Sequence, residues 1–148
     1  MKLVRRFGLL VAAVLSVTAL TGTAVPANAT TAPKPLTYHG VILGAATLEG
    51  PGCVAGRYVG TWTVDVPDRR SDAAVVTVNL RLDGQPHAEW QLPFTLTAPA
   101  APNKFSAALS TPWGDSLTVS MRHWLFVFTL DSPDYLQCSA TFWGIRTP

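Results

Sequence analysis

Apolar and polar positions alternate with a period of two along most of the chain, the period of strands whose two faces meet different surroundings. Across residues 57–66, Tyr58, Trp62, Val64 and Val66 fall on one face, and Arg57, Thr61, Thr63 and Asp65 on the other. Ala74, Val76, Val78, Leu80 and Leu82 then alternate with Val75, Thr77, Asn79 and Arg81. Asp83-Gly84 follows, a pair that readily takes the positive φ angles of a tight hairpin turn. In the returning segment Ala88, Trp90, Leu92, Phe94 and Leu96 alternate with Glu89, Gln91, Pro93 and Thr95. Pro93 has no N–H to give to a ladder, so this segment is expected to run at an edge or to carry a bulge.

Further strands are expected at residues 104–109, 116–121, 122–130 and 136–145, with a less regular one around 38–48. Trp124, Phe126, Phe128 and Leu130 share an apolar face, while Leu125 and Val127 make the opposite face partly apolar. That strand is expected to lie centrally, and Trp62, Trp90 and Trp124, all on apolar phases, are expected in the core. Pro99, Pro102, Pro112, Gly114 and Pro133 punctuate the intervening segments, and no window has the period of an amphipathic helix. About eight antiparallel strands in sequence order predict an all-β domain, either a small β-barrel or a β-sandwich. Alternation describes one strand at a time and leaves closure open.

Residues 1–29 break this pattern and read as a secretory signal peptide. Lys2, Arg5 and Arg6 form a basic start, an apolar run covers residues 7–20, and Ala27-Asn28-Ala29 supplies a small-x-small cleavage pattern. Cleavage near Ala29 would leave residues 30–36, with Pro33 and Pro35, as a flexible lead-in to a single domain at 37–148. The leader also changes the charge. The full chain carries 11 Lys plus Arg against 9 Asp plus Glu, and three of those bases lie in the leader, so the mature chain has a net charge of −1. Such a chain lacks the basic surface that nucleic-acid binding requires. No later apolar run is long enough to span a membrane. The expected location is extracellular.

Cys53 and Cys138 are the only cysteines. In an oxidising compartment they are expected to pair, tying the first third of the domain to its last strand.

Five tryptophans in 148 residues are the most suggestive chemical feature, because indoles stack on sugars and line small-molecule pockets. Trp113 lies in the loop Thr111-Pro112-Trp113-Gly114-Asp115, and Trp143 lies on a polar phase beside Phe142. Each either folds over an open end of the domain or presents a ring for binding. The candidate ligand-binding residues are therefore Trp113 and Trp143, with Asp115 as a polar neighbour.

Gly60-Thr61-Trp62 resembles the Gly-x-Trp signature of the calycin group, the lipocalin and avidin barrels. The resemblance implies an eight-stranded barrel closed at one end by Trp62 packed against a late basic residue, for which Arg146 is the candidate. It covers three residues, lies further into the chain than in avidin-like sequences, and assigns no family.

Catalytic patterns are sparse. The chain has no Gly-x-Ser-x-Gly elbow, phosphate-cradling glycine loop or His-Glu-x-x-His motif. Glu49 and Glu89 are its only glutamates, and most aspartates adjoin turns where backbone hydrogen bonds account for them. His39, His87 and His123 lie far apart in sequence, so no metal or cofactor is assigned. The reading leans against an enzyme and towards a small secreted binding domain for a small ligand or glycan. The alternatives are a secreted protein-interaction domain working through the 97–103 loop or the Pro93 edge and, behind it, an extracellular hydrolase.

Overall fold

The computed structural model describes residues 34–148. The expected leader, 1–29, and the first part of the expected lead-in lie outside the described residues. The strands are β1 (Leu36–Glu49), β2 (Tyr58–Val66), β3 (Ala73–Leu82), β4 (Gln85–Leu96), β5 (Lys104–Ser110), β6 (Ser116–Arg122), β7 (Leu125–Ser132) and β8 (Cys138–Arg146). Each pairs antiparallel with the next, and β8 returns to β1, so the eight strands form a closed up-and-down barrel. Closure decides between the barrel and the sandwich. Among the described residues no helix is long and apolar enough to cross a membrane.

The alternation read from the sequence is the division between lumen and wall. Tyr58, Trp62, Val64 and Val66 of β2, Val76, Val78 and Leu80 of β3, and Phe126, Phe128 and Leu130 of β7 are all buried inside. Asp83 and Gly84 form the two-residue turn between β3 and β4 with φ of 50° and 83°, as a hairpin matched to strand twist requires. The irregularity of β1 is two register shifts against β8, between Ile42 and Gly44 and between Ala45 and Thr47.

An eight-stranded barrel has an interior that side chains can just fill or that can hold one small ligand. This barrel is packed with side chains at one end and hollow at the other. The end that holds the start of β1 and the chain terminus is filled by aromatic packing. Trp62 lies flat on Phe126, with ring centroids 4.1 Å apart and planes 5° from parallel, while Tyr38 meets Phe105 at 4.8 Å. Gly40 makes room for this layer, since a Cβ there would come within 2.8 Å of the Trp62 ring. Among the described residues the buried Trp62 Nε1–H has no acceptor, and the indole is held by its packing. Arg146, the late basic residue that the calycin resemblance sets against Trp62, stands at this same end, where both residues pair with Gly40. Its guanidinium lies 5.6 Å from the Tyr38 ring centre and donates to the Pro102 carbonyl at 2.6 Å.

Trp124 departs from expectation. It is 62% exposed, because β6 ends at Arg122 and β7 starts at Leu125, leaving His123 and Trp124 as the turn between them. His123 takes φ of 60° there. The alternating phase of β7 runs on into this turn, where no glycine or proline marks the strand's end.

At the opposite end the Cys53–Cys138 disulfide joins the β1–β2 loop to the first residue of β8, closing a sequence separation of 85. This end also carries the β3–β4 turn and the loops following β5 and β7. It is the open end.

Candidate functional site

The open end begins where β4 and β5 part. They pair only through Thr95↔Ala108 and Leu96↔Ala107, although β4 runs on towards the rim for ten more residues. The direction of the backbone groups explains where the ladder stops. Leu96 N–H donates to Asp72 on the β3 side, and Thr97 N–H donates to Ser106 on the β5 side. Odd-numbered residues near this end of β4 therefore face β5. Hydrogen-bonded pairs recur every second residue in an antiparallel ladder. After Thr97 with Ser106 and Thr95 with Ala108, the next would be Pro93 with Ser110, and Pro93 has no proton to donate. The edge expected at Pro93 is thus a local one, and a slot opens above it in the barrel wall.

Behind the slot lies a cavity of about 710 Å³. Trp90 and Leu92 from β4, Leu109 from β5, Leu117 from β6, Leu130 from β7 and Leu136 from the β7–β8 loop give it an apolar lining. These are the inward residues of their strands, so the alternation that packs the closed end lines a void at this one. Beneath them, Trp90 meets Phe128 at 5.7 Å between ring centroids, Phe128 stacks on Phe142 at 6.0 Å, and Tyr58 meets Phe142 edge-on at 5.2 Å. A recess of about 170 Å³ adjoins it, sharing Trp90 and Leu130 and reaching the disulfide, Tyr58 and Phe142.

A bulge supplies the cavity's imidazole. Leu80 pairs with Ala88 but Arg81 pairs with Pro86, which leaves His87 as an extra residue in β4. Such an insertion re-aims a side chain. His87 borders both the cavity and the recess, with its ring edge-on to Tyr58 at 5.4 Å. The Tyr58 hydroxyl is occupied, donating to the Val54 carbonyl at 2.6 Å.

Asp115 ties the rim together. Its side chain is only 9% exposed. One carboxylate oxygen accepts the Trp113 Nε1–H at 2.9 Å, and the other accepts the hydroxyl of fully buried Ser132 at 2.6 Å. Ser132 in turn accepts the Leu136 N–H at 3.0 Å. The β5–β6 and β7–β8 loops are thereby fastened to one another, with Trp113, Tyr135 and Leu136 set along the cavity's mouth.

Of the three candidate binding residues, Trp113 and Asp115 stand at this mouth and Trp143 does not. Trp113 is 64% exposed, so its ring is no plug for the barrel. Trp143 is 40% exposed on the outer wall, where it faces Gly44 of β1 and Val127 of β7 across their ladders. The two rings occupy different surfaces because one belongs to a loop and the other to an outward strand position. Sequence reasoning missed the aliphatic lining and His87. An inward leucine reads the same beside a void as beside another side chain, and Pro93 is the one residue that pointed to the slot.

Glu89 faces outward on β4 and Glu49 ends β1, and neither lines the cavity. Among the described residues Asp115 is the one carboxylate in the lining, so the cavity holds no pair of carboxylates, and His87 is the other side chain there with acid–base chemistry near neutral pH. Among the described residues no group of three or more His, Cys, Asp and Glu side chains is placed to hold a metal ion. Compared with protein-family models, curated proteins and solved structures, the chain has no significant match.

Proposed function

We propose that the protein is a secreted binding barrel for an apolar small molecule, which enters through the slot between β4 and β5. The observation that carries this reading is the apolar cavity opening where Pro93 ends the ladder. Its volume falls within the range of small-molecule sites, and its lining, mostly hydrophobic with few polar groups, is of the usual kind. The same lining favours an apolar molecule over a glycan. A sugar needs many hydrogen-bonding partners, and Asp115 already serves Trp113 and Ser132. Trp113 and Asp115 act at the mouth, the first as a contact surface and the second as its support. Trp143 has no part in this site.

A second reading uses the same opening. Above Thr95 the β5-facing edge of β4 is unpaired, and an extended segment of another extracellular protein would add to it as a strand. The two readings separate with the neutral apolar fluorophore N-phenyl-1-naphthylamine. Under the binding reading its emission rises on mixing with the mature, oxidised protein. Leu117→Trp, which fills the cavity, abolishes the rise, and Trp143→Ala leaves it intact. No rise with the wild-type protein contradicts the small-molecule reading and leaves strand addition as the alternative.

A further inference from the structure

The charges of the barrel are sorted along its axis. The open end carries the carboxylates Glu49, Asp83, Glu89, Asp115, Asp131 and Asp134, against the two bases Arg57 and Arg81. The closed end reverses this, with Lys34, Arg69, Arg70, Lys104, Arg122 and Arg146 against Asp65, Asp68 and Asp72. A net charge near zero in the mature chain thus hides a strong separation. Asp115 and Asp134 stand at the mouth of the apolar cavity, whereas the two bases of that end gather at the β3–β4 turn together with Asp83. Arg81 folds back onto the β3–β4 turn, donating to the Gly84 carbonyl at 2.6 and 3.0 Å, and Arg57 adjoins the same turn through its N–H bond to Asp83.

The mouth itself is aromatic. The rings of Trp113 and Tyr135 stand at its rim and Trp90 stands inside. Asp134 lies alongside this rim, its carboxylate 3.4 Å from where a Cβ on Gly114 would be, one residue from Trp113. Indole and phenol faces attract cations through their negative π surfaces. The Trp113 N–H is bonded to a carboxylate, which polarises the indole in the favourable direction. A concave apolar site edged by charge of one sign also focuses the field and gathers ligands of the opposite sign.

We infer that the ligand of this cavity is a lipophilic organic cation, an ammonium group on an apolar body, held with its apolar part between β4 and β5 and its charge among Trp113, Tyr135 and Asp134. The inference rests on the reading of the cavity as a ligand site and adds the sign of the ligand's charge. Neutral apolar molecules would also enter, more weakly, and carboxylates most weakly of all.

The test is displacement of N-phenyl-1-naphthylamine by three probes with the same ten-carbon chain: decyltrimethylammonium, decan-1-ol and decanoate, each below its micelle concentration. The expected order of affinity is cation, alcohol, carboxylate, with the cation ahead of the alcohol by about tenfold at low salt. That margin should shrink as ionic strength rises to about 0.5 M, where exposed charges are screened. Asp134→Asn should narrow the margin about threefold, whereas Asp68→Asn, at the closed end, should leave it unchanged. An alcohol or carboxylate that displaces the fluorophore as well as the cation does overturns the inference and leaves the apolar cavity as the binding site. Failure of the wild-type protein to bind the fluorophore or any of the three probes overturns the reading of the cavity together with the inference.

Discussion

The indole N–H of Trp113 and the carboxylate of Asp115, two residues apart in one loop, are joined at 2.9 Å, and through Ser132 the same carboxylate holds the neighbouring loop. The most exposed tryptophan of the barrel is therefore tied through its N–H to a buried carboxylate. Asp115→Ala should cost about 1–3 kcal/mol of stability, since it strands the buried Ser132 hydroxyl and frees the Trp113 N–H. It should also weaken binding of N-phenyl-1-naphthylamine while leaving the barrel's circular-dichroism spectrum unchanged. Chemical denaturation and fluorophore titration of one variant check both parts.

Pro93 should control the width of the slot. Pro93→Thr restores an N–H where the ladder with β5 would continue to Ser110, and threonine suits a strand. The added hydrogen bond should raise stability by about 0.5–1.5 kcal/mol and narrow the entrance, slowing uptake of the fluorophore. Slow hydrogen exchange at the new amide of residue 93 would report the ladder directly. Rapid exchange there, with uptake unchanged, would show that proline is not what parts the strands.

The disulfide closes a long loop around the barrel, from the β1–β2 loop to the start of β8. Replacing both Cys53 and Cys138 with serine should destabilise the fold by about 4–5 kcal/mol in the chain-entropy account. For a domain of this size the melting temperature should fall by roughly 15–20 °C. Because both cysteines border the inner recess, fluorophore binding should weaken as well.

Alkaline pH should expose the two buried phenols. Burial raises the pKa of Tyr38 above its ordinary 10.0, against an opposing pull from Arg146 and Arg69. Burial also raises that of Tyr58, with Asp83 adding to the effect. The folded state thus holds both protons more tightly than the unfolded state does. The resulting stabilisation is fully present below about pH 10 and declines as pH rises from there through the folded values. Denaturation midpoints should be level between about pH 7 and 9 with respect to these groups and fall above about pH 10. The fall should be shallower in Tyr38→Phe and Tyr58→Phe.

Local order was legible in the sequence wherever the chain repeats itself. Period-two alternation located β2, β3 and β4, the Asp83-Gly84 pair marked the turn between the last two, and two lone cysteines gave their own pairing. What stayed hidden depends on contacts between strands. Closure is a property of β8 meeting β1, to which no single strand testifies. Trp124 kept the phase of β7 after the strand had given way to a turn, and His87 lost the phase of β4 because a bulge inserts it. The cavity was hidden for a related reason. Leu109, Leu117 and Leu130 alternate as core residues do, and whether a side chain or a void lies opposite is set by how far β4 and β5 separate. The sorting of charge between the two ends likewise becomes visible only when alternate loops are gathered onto the same rim.

The most direct measurement is a methyl NMR titration of residues 30–148 with the disulfide formed, labelled at leucine, with the neutral probe decan-1-ol. The account predicts that the methyls of Leu92, Leu109, Leu117 and Leu130 shift on titration, while those of Leu125, on the outer wall, stay in place. Shifts confined to Leu125 and other wall positions, or no shifts at all, would contradict a ligand site inside the barrel.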